Sequence, residues 1–143
     1  MKDAKQFSKE LEQVEKALKS AKRVVITAPG AADGDSIGAQ LALRSMILGR
    51  YPAVQVRILN DEPVADRYNF LPDAEHVHTP ETFAALGESK EFDVGFIVDG
   101  GVDRAGRVGE VFIRCATQIF IDHHAVSVEY PYTVRIVEPN ACA

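Results

Sequence analysis

Short runs of apolar and mostly β-branched residues recur along the chain, and polar or helical stretches separate them. The first run extends from Val24 to Thr27, and similar runs cover residues 54–59, 92–98, 115–121 and 132–137. Nearly continuous apolar strands are typical of a parallel sheet that is buried on both faces. Since segments with helical periodicity lie between the runs, the sequence predicts the α/β fold class, with a doubly wound parallel sheet and helices on both faces.

The segments between the runs carry helical signals. Four apolar residues near the amino terminus share one helix face, namely Phe7, Leu11, Val14 and Leu18. A second helix is predicted over residues 37–48, with Asp35 or Ser36 as its N-cap and Gly49 as its end. A short third helix is expected over residues 80–86. Helices of this kind supply the long connections that parallel strands require.

Composition excludes several classes of protein. The chain has 143 residues, a length that fits one domain, and 46% of them are hydrophobic. Its formal net charge of −5 argues against a long nucleic acid as partner, because surfaces that follow DNA or RNA are usually basic. No apolar run approaches the roughly 18 residues that span a bilayer, and the first residues lack the apolar core of a signal peptide. We therefore expect a cytoplasmic protein without membrane contact.

Acidic and histidine residues are concentrated directly after three of the predicted strands. They are Asp33 and Asp35 after the first strand, Asp99 after the third, and Asp122, His123 and His124 after the fourth. In open α/β sheets, ligands bind outside the carboxyl ends of the strands. Carboxylates crowded at that edge repel one another unless cations lie between them. Carboxylate oxygens with one or two imidazoles suit Mn²⁺ or Mg²⁺, and two such ions roughly 3.5–4 Å apart can activate water for attack on phosphorus.

Each of these residues also has a structural explanation when it is considered alone. Asp35 or Ser36 would serve as a helix cap, Asp99 as part of a turn, and the histidines as members of an exposed loop. Joint placement at three strand ends favours a metal site over these separate explanations. Arg104 and Arg107 lie in the polar loop after Asp99, where exposure to solvent is the simpler interpretation and contact with a phosphate is the alternative.

Three segments resemble the motifs of the DHH phosphoesterase superfamily. Residues 33–38, with the sequence DGDSIG, look like the first motif, Val98-Asp99 looks like the second, and residues 122–124 match the third. Residues 69–72 are similar to a segment found in the oligoribonuclease and phosphoadenosine-phosphate phosphatase branch. The resemblance covers nearly the whole chain. It implies an α/β domain that uses two Mn²⁺ ions, with Mg²⁺ as an alternative, to hydrolyse phosphoester or phosphoanhydride bonds.

The resemblance also implies which residues bind metal. Asp33 would bind one ion and Asp35 the other, and Asp99 would bridge the two. His123 would bind the second ion. Together these residues would form a dinuclear centre at the carboxyl edge of the sheet.

The same resemblance assigns catalytic roles to Asp122, His123 and His124. Asp122 would orient the pair of histidines, and His124 would contact the substrate phosphate or the metal shell. The implied function is hydrolysis of phosphodiester or phosphomonoester bonds in short oligonucleotides or small nucleotides. The alternative is a degenerate domain that binds a nucleotide or a protein partner without catalysis, and an inorganic pyrophosphatase or polyphosphatase is a third. The sequence leaves open whether the protein is a homodimer.

Two features depart from the family pattern. Pro29 stands where family members usually carry a histidine that binds the first metal ion. His76 and His78 are candidates to replace it, although surface positions are the simpler expectation for both. The family also continues beyond the third motif to a further metal-binding aspartate and a C-terminal substrate-binding domain. We therefore expect residues 1–143 to form a DHH-type domain that is incomplete at its C-terminus. A fragment of a longer protein is the favoured explanation, and a reduced relative of the family is the alternative.

Overall fold

Backbone hydrogen bonds join six strands into one sheet in the computed structural model of the protein, which describes residues 3–125 and 127–141. The strands are β1 (Arg23–Thr27), β2 (Gln55–Leu59), β3 (Val77–His78), β4 (Val94–Val98), β5 (Thr117–Asp122) and β6 (Val134–Val137). Their order in the sheet is β3-β2-β1-β4-β5-β6, and every neighbouring pair is parallel. This arrangement confirms the predicted α/β class with a parallel sheet.

The connections between the strands contain the helices. These are α1 (Ala4–Ser20), α2 (Gly34–Arg50), α3 (Pro80–Ala84) and α4 (Gly109–Ile113). Short 3₁₀ turns cover Asp66–Tyr68, Ala74–His76, Val102–Arg104 and Gly106–Val108. Within the described ranges, no helix is long and apolar enough to cross a membrane.

Successive residues of the central strand β1 pack on opposite faces of the sheet. Val24 belongs to a core cluster that includes Leu18 of α1 and Ile47 of α2. Its neighbour Val25 belongs to a second cluster that includes Phe112 of α4. Burial of one such side chain stabilises the fold by about 1.5–3 kcal/mol relative to exposure. Helices therefore cover both faces of the sheet, as the apolar strands predict.

The direction of strand addition reverses between β1 and β4. From β1 the chain adds β2 and β3 on one side, and then crosses to add β4, β5 and β6 on the other. Ligands bind at such a reversal in open α/β sheets, outside the carboxyl ends of the strands. The strands β1, β4 and β5 are neighbours, and they are the strands that precede the acidic and histidine residues.

The limits of some elements differ from the prediction. The N-cap of α2 is Asp33 rather than Asp35 or Ser36, because the Asp33 carboxylate accepts a hydrogen bond from the backbone N–H of Ser36. Gly49 does not end this helix, which continues to Arg50. The sequence does not predict β3 or α4, since elements of two and five residues are too short to show a periodic pattern.

A reciprocal pair of amides ties α2 to the residue that follows β2. The side chains of Gln40 and Asn60 are both fully buried. Gln40 Nε2 donates to Asn60 Oδ1 at 2.7 Å, and Asn60 Nδ2 donates to Gln40 Oε1 at 2.8 Å. Each amide satisfies the other, and a buried polar group left without its partner costs about 1–3 kcal/mol. The pair therefore holds α2 in place above the sheet.

We expect Asn60→Leu to lower the free energy of unfolding by about 1–3 kcal/mol, because the substitution leaves the Gln40 amide buried and unpaired. The double variant Gln40→Leu/Asn60→Leu should lose less stability than the sum of the two single variants. Urea denaturation measures all three, with Asn69→Leu as the control at an exposed position. Strict additivity would show that the two amides are energetically independent.

The Asp93 carboxylate, at the amino-terminal ends of β1 and β4, makes the stability of the fold depend on pH. Asp93 Oδ2 accepts the backbone N–H groups of Lys22 at 2.7 Å and of Arg23 at 2.8 Å. The hydrogen bonds from Arg23 and then Lys22 lower the pKa of Asp93 below its ordinary value of 3.8. A carboxyl group whose pKa is lower in the folded state adds stability above its unfolded pKa. That contribution is lost as the pH falls through the folded pKa.

Asp93→Asn should therefore destabilise the protein at neutral pH, because the amide oxygen keeps the shape of the acceptor but not its charge. The difference in the free energy of unfolding between wild type and variant should shrink as the pH falls below about 4. Denaturation curves from about pH 7 to pH 2.5 check this. Glu12→Gln, on the exposed side of α1, is the control for the loss of one negative charge. A difference that stays constant over this range would contradict the charge-based explanation.

Candidate metal centre

The first part of the site lies between β1 and α2. Asp33 Oδ1 accepts hydrogen bonds from the backbone N–H of Ser36 at 3.0 Å and from its hydroxyl at 3.2 Å. The bond from the Ser36 backbone is the main reason that the pKa of Asp33 lies below its ordinary value, and burial opposes it. Asp35 follows in the first turn of the helix, where a negative charge is favoured by the helix dipole. Both carboxylates are thus fixed by the start of α2.

Asp99 brings a carboxylate from the end of β4 into the same region. Its backbone has a φ of 61°, in the left-handed region that few L-residues adopt, and only 5% of the residue is exposed. The Ser36 hydroxyl donates to Asp99 Oδ2 at 2.5 Å. The backbone N–H of Asp99 donates to the carbonyl of Ile121 at 3.0 Å, which ties this turn to β5. Ser36 therefore bridges Asp33 and Asp99, a role beyond the helix cap that the sequence suggests.

His123 completes a group of three converging donor atoms. Its Nε2 atom lies 3.0 Å from Asp99 Oδ1 and 3.3 Å from Asp35 Oδ2. Burial lowers the pKa of His123, but the hydrogen bond to Asp99 and the negative charges of Asp99 and Asp35 outweigh it, so the pKa is raised. Asp99 and His123 directly follow β4 and β5, and Asp35 lies in the first turn of α2, which follows β1 along the chain.

Asp122 and His124 lie next to this group. The Asp122 carboxylate is buried and accepts the backbone N–H groups of His123 at 2.7 Å and His124 at 3.2 Å. It also lies 2.7 Å from His124 Nδ1, which fixes the position of that ring. The two histidine rings have centroids 4.5 Å apart. His124 Nδ1 is 4.0 Å from Asp99 Oδ1, so both histidines border the same buried carboxylate.

The donor set fits a divalent cation. One ligand atom from each of Asp99, Asp122, His123 and His124 lies within 4.8 Å of the others, and Asp35 adds an oxygen beside His123. Mixed carboxylate and imidazole donors suit Mn²⁺ or Mg²⁺, and a cation would offset the repulsion between these carboxylates. Asp33 is outside this tight set but adjoins it, because its carboxylate interacts with the Asp99 side chain directly and also contacts the Ser36 hydroxyl, which contacts Asp99.

Pro29 occupies space beside Asp99 without offering a ligand atom. Its Cγ atom lies 2.5 Å from the position that a Cβ atom on Gly100 would take. Gly100 has a φ of 153°, which L side chains rarely adopt, so glycine is required there on both grounds. The histidine that the resemblance implies in place of Pro29 thus has no counterpart in this loop.

The histidines of the middle segment do not replace that missing ligand. His76 groups with Asp73 and Glu75, away from the strand ends of the centre. His78 lies in the edge strand β3, and its Nδ1 atom is 3.4 Å from the Thr82 hydroxyl. Among the described residues, neither histidine contacts an aspartate of the centre, which agrees with the simpler expectation from the sequence.

A cleft of about 300 Å³ opens beside the centre. Its lining includes Asp122, His124, Gly100, Gly101, Asp103 and Arg104. Arg107 has a different role, because it binds Asp61 and Glu81 and so joins three separate segments of the chain. The sequence does not distinguish the two arginines, since the acidic partners of Arg107 are distant along the chain.

An aromatic side chain covers the other flank of the first motif. Tyr68 Cε1 lies 3.1 Å from the position that a Cβ atom on Gly34 would take, so its ring is packed against the backbone between Asp33 and Asp35. The guanidinium of Arg67 lies 4.9 Å from the centre of the Tyr68 ring. No sequence signal assigns Tyr68 to the site, because the contact depends on how the loop after β2 folds back.

Comparisons with known proteins support the fold. No protein-family model matches the chain, and no curated protein matches it. The fold is similar to the crystal structure of an exopolyphosphatase-related protein from Bacteroides fragilis, with a TM-score of 0.80 and 19% sequence identity. The match covers 92% of this chain and 39% of the other, so the chain spans about two-fifths of that protein's length. At this identity the similarity establishes a shared α/β fold.

Proposed function

We propose that the chain is the metal-binding domain of a DHH-type hydrolase that cleaves phosphodiester or phosphomonoester bonds in short oligonucleotides or small nucleotides. The observation that carries the proposal is the convergence of three side chains at the point where the strand order reverses: Asp35 from the start of α2, Asp99 from the end of β4 and His123 from the end of β5. The order of the DHH-like motifs and the fold shared with an exopolyphosphatase-related protein add support.

Different residues of the centre would bind the two proposed ions. Asp35, Asp99 and His123 would hold a divalent cation, with Mn²⁺ as the first choice and Mg²⁺ as the second. Asp33 would hold a second ion together with Asp99, as the resemblance implies. When bound, such ions polarise a phosphoryl oxygen and lower the pKa of water. The chain's own contribution is to keep these donors fixed, through Ser36 on one side and the backbone on the other.

Asp122 and His124 would act on the substrate side of the centre. The 2.7 Å contact between Asp122 and His124 Nδ1 holds the imidazole in one orientation. The side chain of His124 is 46% exposed and borders the cleft, so its other ring nitrogen can meet a phosphate oxygen. Asp122 would thus be a positioning residue. The modest cleft and the acidic chain favour a small substrate over a long strand.

A second candidate function follows from Pro29. A proline in place of a ligand leaves the first metal position with fewer donors than the resemblance implies. The domain would then bind one ion and recognise a nucleotide or a protein partner without hydrolysing it. Metal stoichiometry and turnover separate this candidate from the hydrolase, and hydrolysis of pyrophosphate but not of a dinucleotide would instead favour a pyrophosphatase or polyphosphatase.

We expect Asp99→Asn to weaken the binding of Mn²⁺ at both proposed positions, because Asp99 would bridge the two ions. Asparagine keeps the shape of the side chain and tolerates the left-handed backbone, so the variant should fold. The loss of affinity should exceed the roughly 10–100-fold effect typical of substitutions outside the coordination shell. Calorimetric titration of Mn²⁺ into metal-free wild type and variant measures this, with Glu12→Gln as the charge-matched control.

The same samples test catalysis, with a labelled dinucleotide and with pyrophosphate as substrates. Two bound ions with turnover of the dinucleotide would support the hydrolase, and one ion without turnover would support the binding domain. Wild-type protein that binds no Mn²⁺, or an Asp99→Asn variant with unchanged affinity, would contradict the proposed centre.

Ser36→Ala should weaken Mn²⁺ binding by about 10-fold or more without abolishing it. The substitution removes the hydroxyl that donates to Asp99 at 2.5 Å and also contacts Asp33 at 3.2 Å, so Asp99 loses a donor that orients it, while Asp33 keeps the backbone N–H of residue 36. Titration calorimetry again provides the measurement. Ser20→Ala, which removes a hydroxyl at the end of α1, is the matched control. Equal affinities in Ser36→Ala and wild type would show that this bridge does not support the centre.

A further inference from the structure

Arg104 lies beside the candidate metal centre on the side that Pro29 occupies. Its Nη1 atom is 3.7 Å from the position that a Cβ atom on Gly100 would take, and Gly100 directly follows Asp99. The backbone carbonyl of Arg104 accepts a hydrogen bond from the N–H of Gly30 at 2.8 Å, which ties the arginine to the loop before Asp33. The backbone of Arg104 is therefore anchored to the loop that leads into the centre.

The guanidinium of Arg104 has no partner within the described part of the chain. Every other arginine of residues 3–125 and 127–141 has an ion pair, a hydrogen bond or an aromatic contact. Arg107, only three residues later, is held by both Asp61 and Glu81. The chain has 21 acidic and 16 basic residues, so a cation without an anionic partner is not explained by a shortage of carboxylates.

The surroundings of Arg104 leave room for an anion. Gly100 and Gly101 line the same cleft as Arg104 and His124, and neither has a side chain to fill it. Asp103 also lines this cleft, and its carboxylate lies over Gly101, with Oδ1 2.5 Å from the position of an added Cβ atom. Because this charge repels an anion, the positive charge of Arg104 is needed to offset it. The cleft of about 300 Å³ can hold a phosphate group with a small substituent.

We propose that Arg104 binds a phosphate oxygen of the substrate held at the centre. The proposal rests on the proposed function and extends it, because it names a substrate-binding residue outside the metal ligands. A guanidinium offers a planar fork of N–H donors that matches phosphate geometry and keeps its charge at any physiological pH. Arg104 thus supplies a permanent positive charge on the flank where Pro29 provides no metal ligand.

Binding of inorganic phosphate tests this proposal. Wild type, Arg104→Gln, Arg104→Lys and Arg114→Gln would be titrated with Mn²⁺ and then with phosphate, both in the Mn²⁺-loaded and in the metal-free form. Arg104→Gln should lower the affinity for phosphate by about 10- to 100-fold and should not weaken the binding of Mn²⁺, because Arg104 is not among the proposed metal ligands and its loss removes a positive charge. Arg104→Lys should fall between wild type and Arg104→Gln, because lysine keeps the charge but not the fork.

Arg114→Gln is the matched control. It removes the same charge from a side chain that is 73% exposed and lies near Lys22 and Arg23, at the opposite edge of the sheet. Its affinity for phosphate should equal that of wild type. A similar loss of phosphate affinity in Arg104→Gln and Arg114→Gln would show that the effect comes from the change in net charge, and it would overturn the proposal.

The experiment separates failure of this inference from failure of the proposed function. Suppose that wild type binds Mn²⁺. The role of Arg104 is then refuted, and the metal centre stands, if Arg104→Gln binds phosphate as tightly as wild type or if wild type binds no phosphate. If wild type binds no Mn²⁺, the proposed function fails. The titration of metal-free protein with phosphate then tests Arg104 by itself. Weaker phosphate binding by Arg104→Gln than by wild type would support an anion site, and equal phosphate affinities of the two proteins would overturn it.

Discussion

Parallel pairing of β1 with β4, and of β4 with β5, is the interaction on which the rest of the structure depends. The register places Thr27 opposite Ile97 and Val98 opposite Ile121, so the three strands end at nearly the same level. Because both faces of the sheet are buried, a shift of one residue would turn apolar side chains away from their packing partners. The register therefore sets the positions of the strand ends, and with them the positions of the carboxylates that follow.

Hydrogen bonds then orient the carboxylates that the sheet brings together. The backbone holds Asp122 through the N–H groups of His123 and His124, and the Ser36 hydroxyl holds Asp99. These donors are already in place in the folded chain. A cation that enters the site would therefore find its ligands near their final arrangement, which reduces the ordering that binding must otherwise impose.

Much of the fold and of the candidate site could be predicted from the sequence, because both depend on local patterns. The apolar strands indicated a buried parallel sheet. The acidic residues that follow three of the strands indicated a metal site at the carboxyl ends of those strands. The bridge made by Ser36, the packing of Tyr68 and the contrast between Arg104 and Arg107 could not be predicted. Each depends on which residues, distant along the chain, become neighbours after folding. The prediction of Asp35 or Ser36 as the N-cap of α2 was wrong for a simpler reason. Several adjacent polar residues are equally good caps by type, and the structure uses Asp33.

Under the proposed function, the left-handed backbone at Asp99 has a consequence for how such a domain would change during evolution. This conformation costs most L-residues roughly 1–2 kcal/mol, whereas glycine adopts it freely and asparagine and aspartate tolerate it better than most. The two replacements that this backbone tolerates best, glycine and asparagine, are thus both replacements that remove the carboxylate. Under the proposed function, a copy of this domain that is no longer selected for catalysis would tolerate either change and still fold and accumulate in the cell. Protein abundance would then be a poor guide to function in such copies, and the residue at this single position a better one.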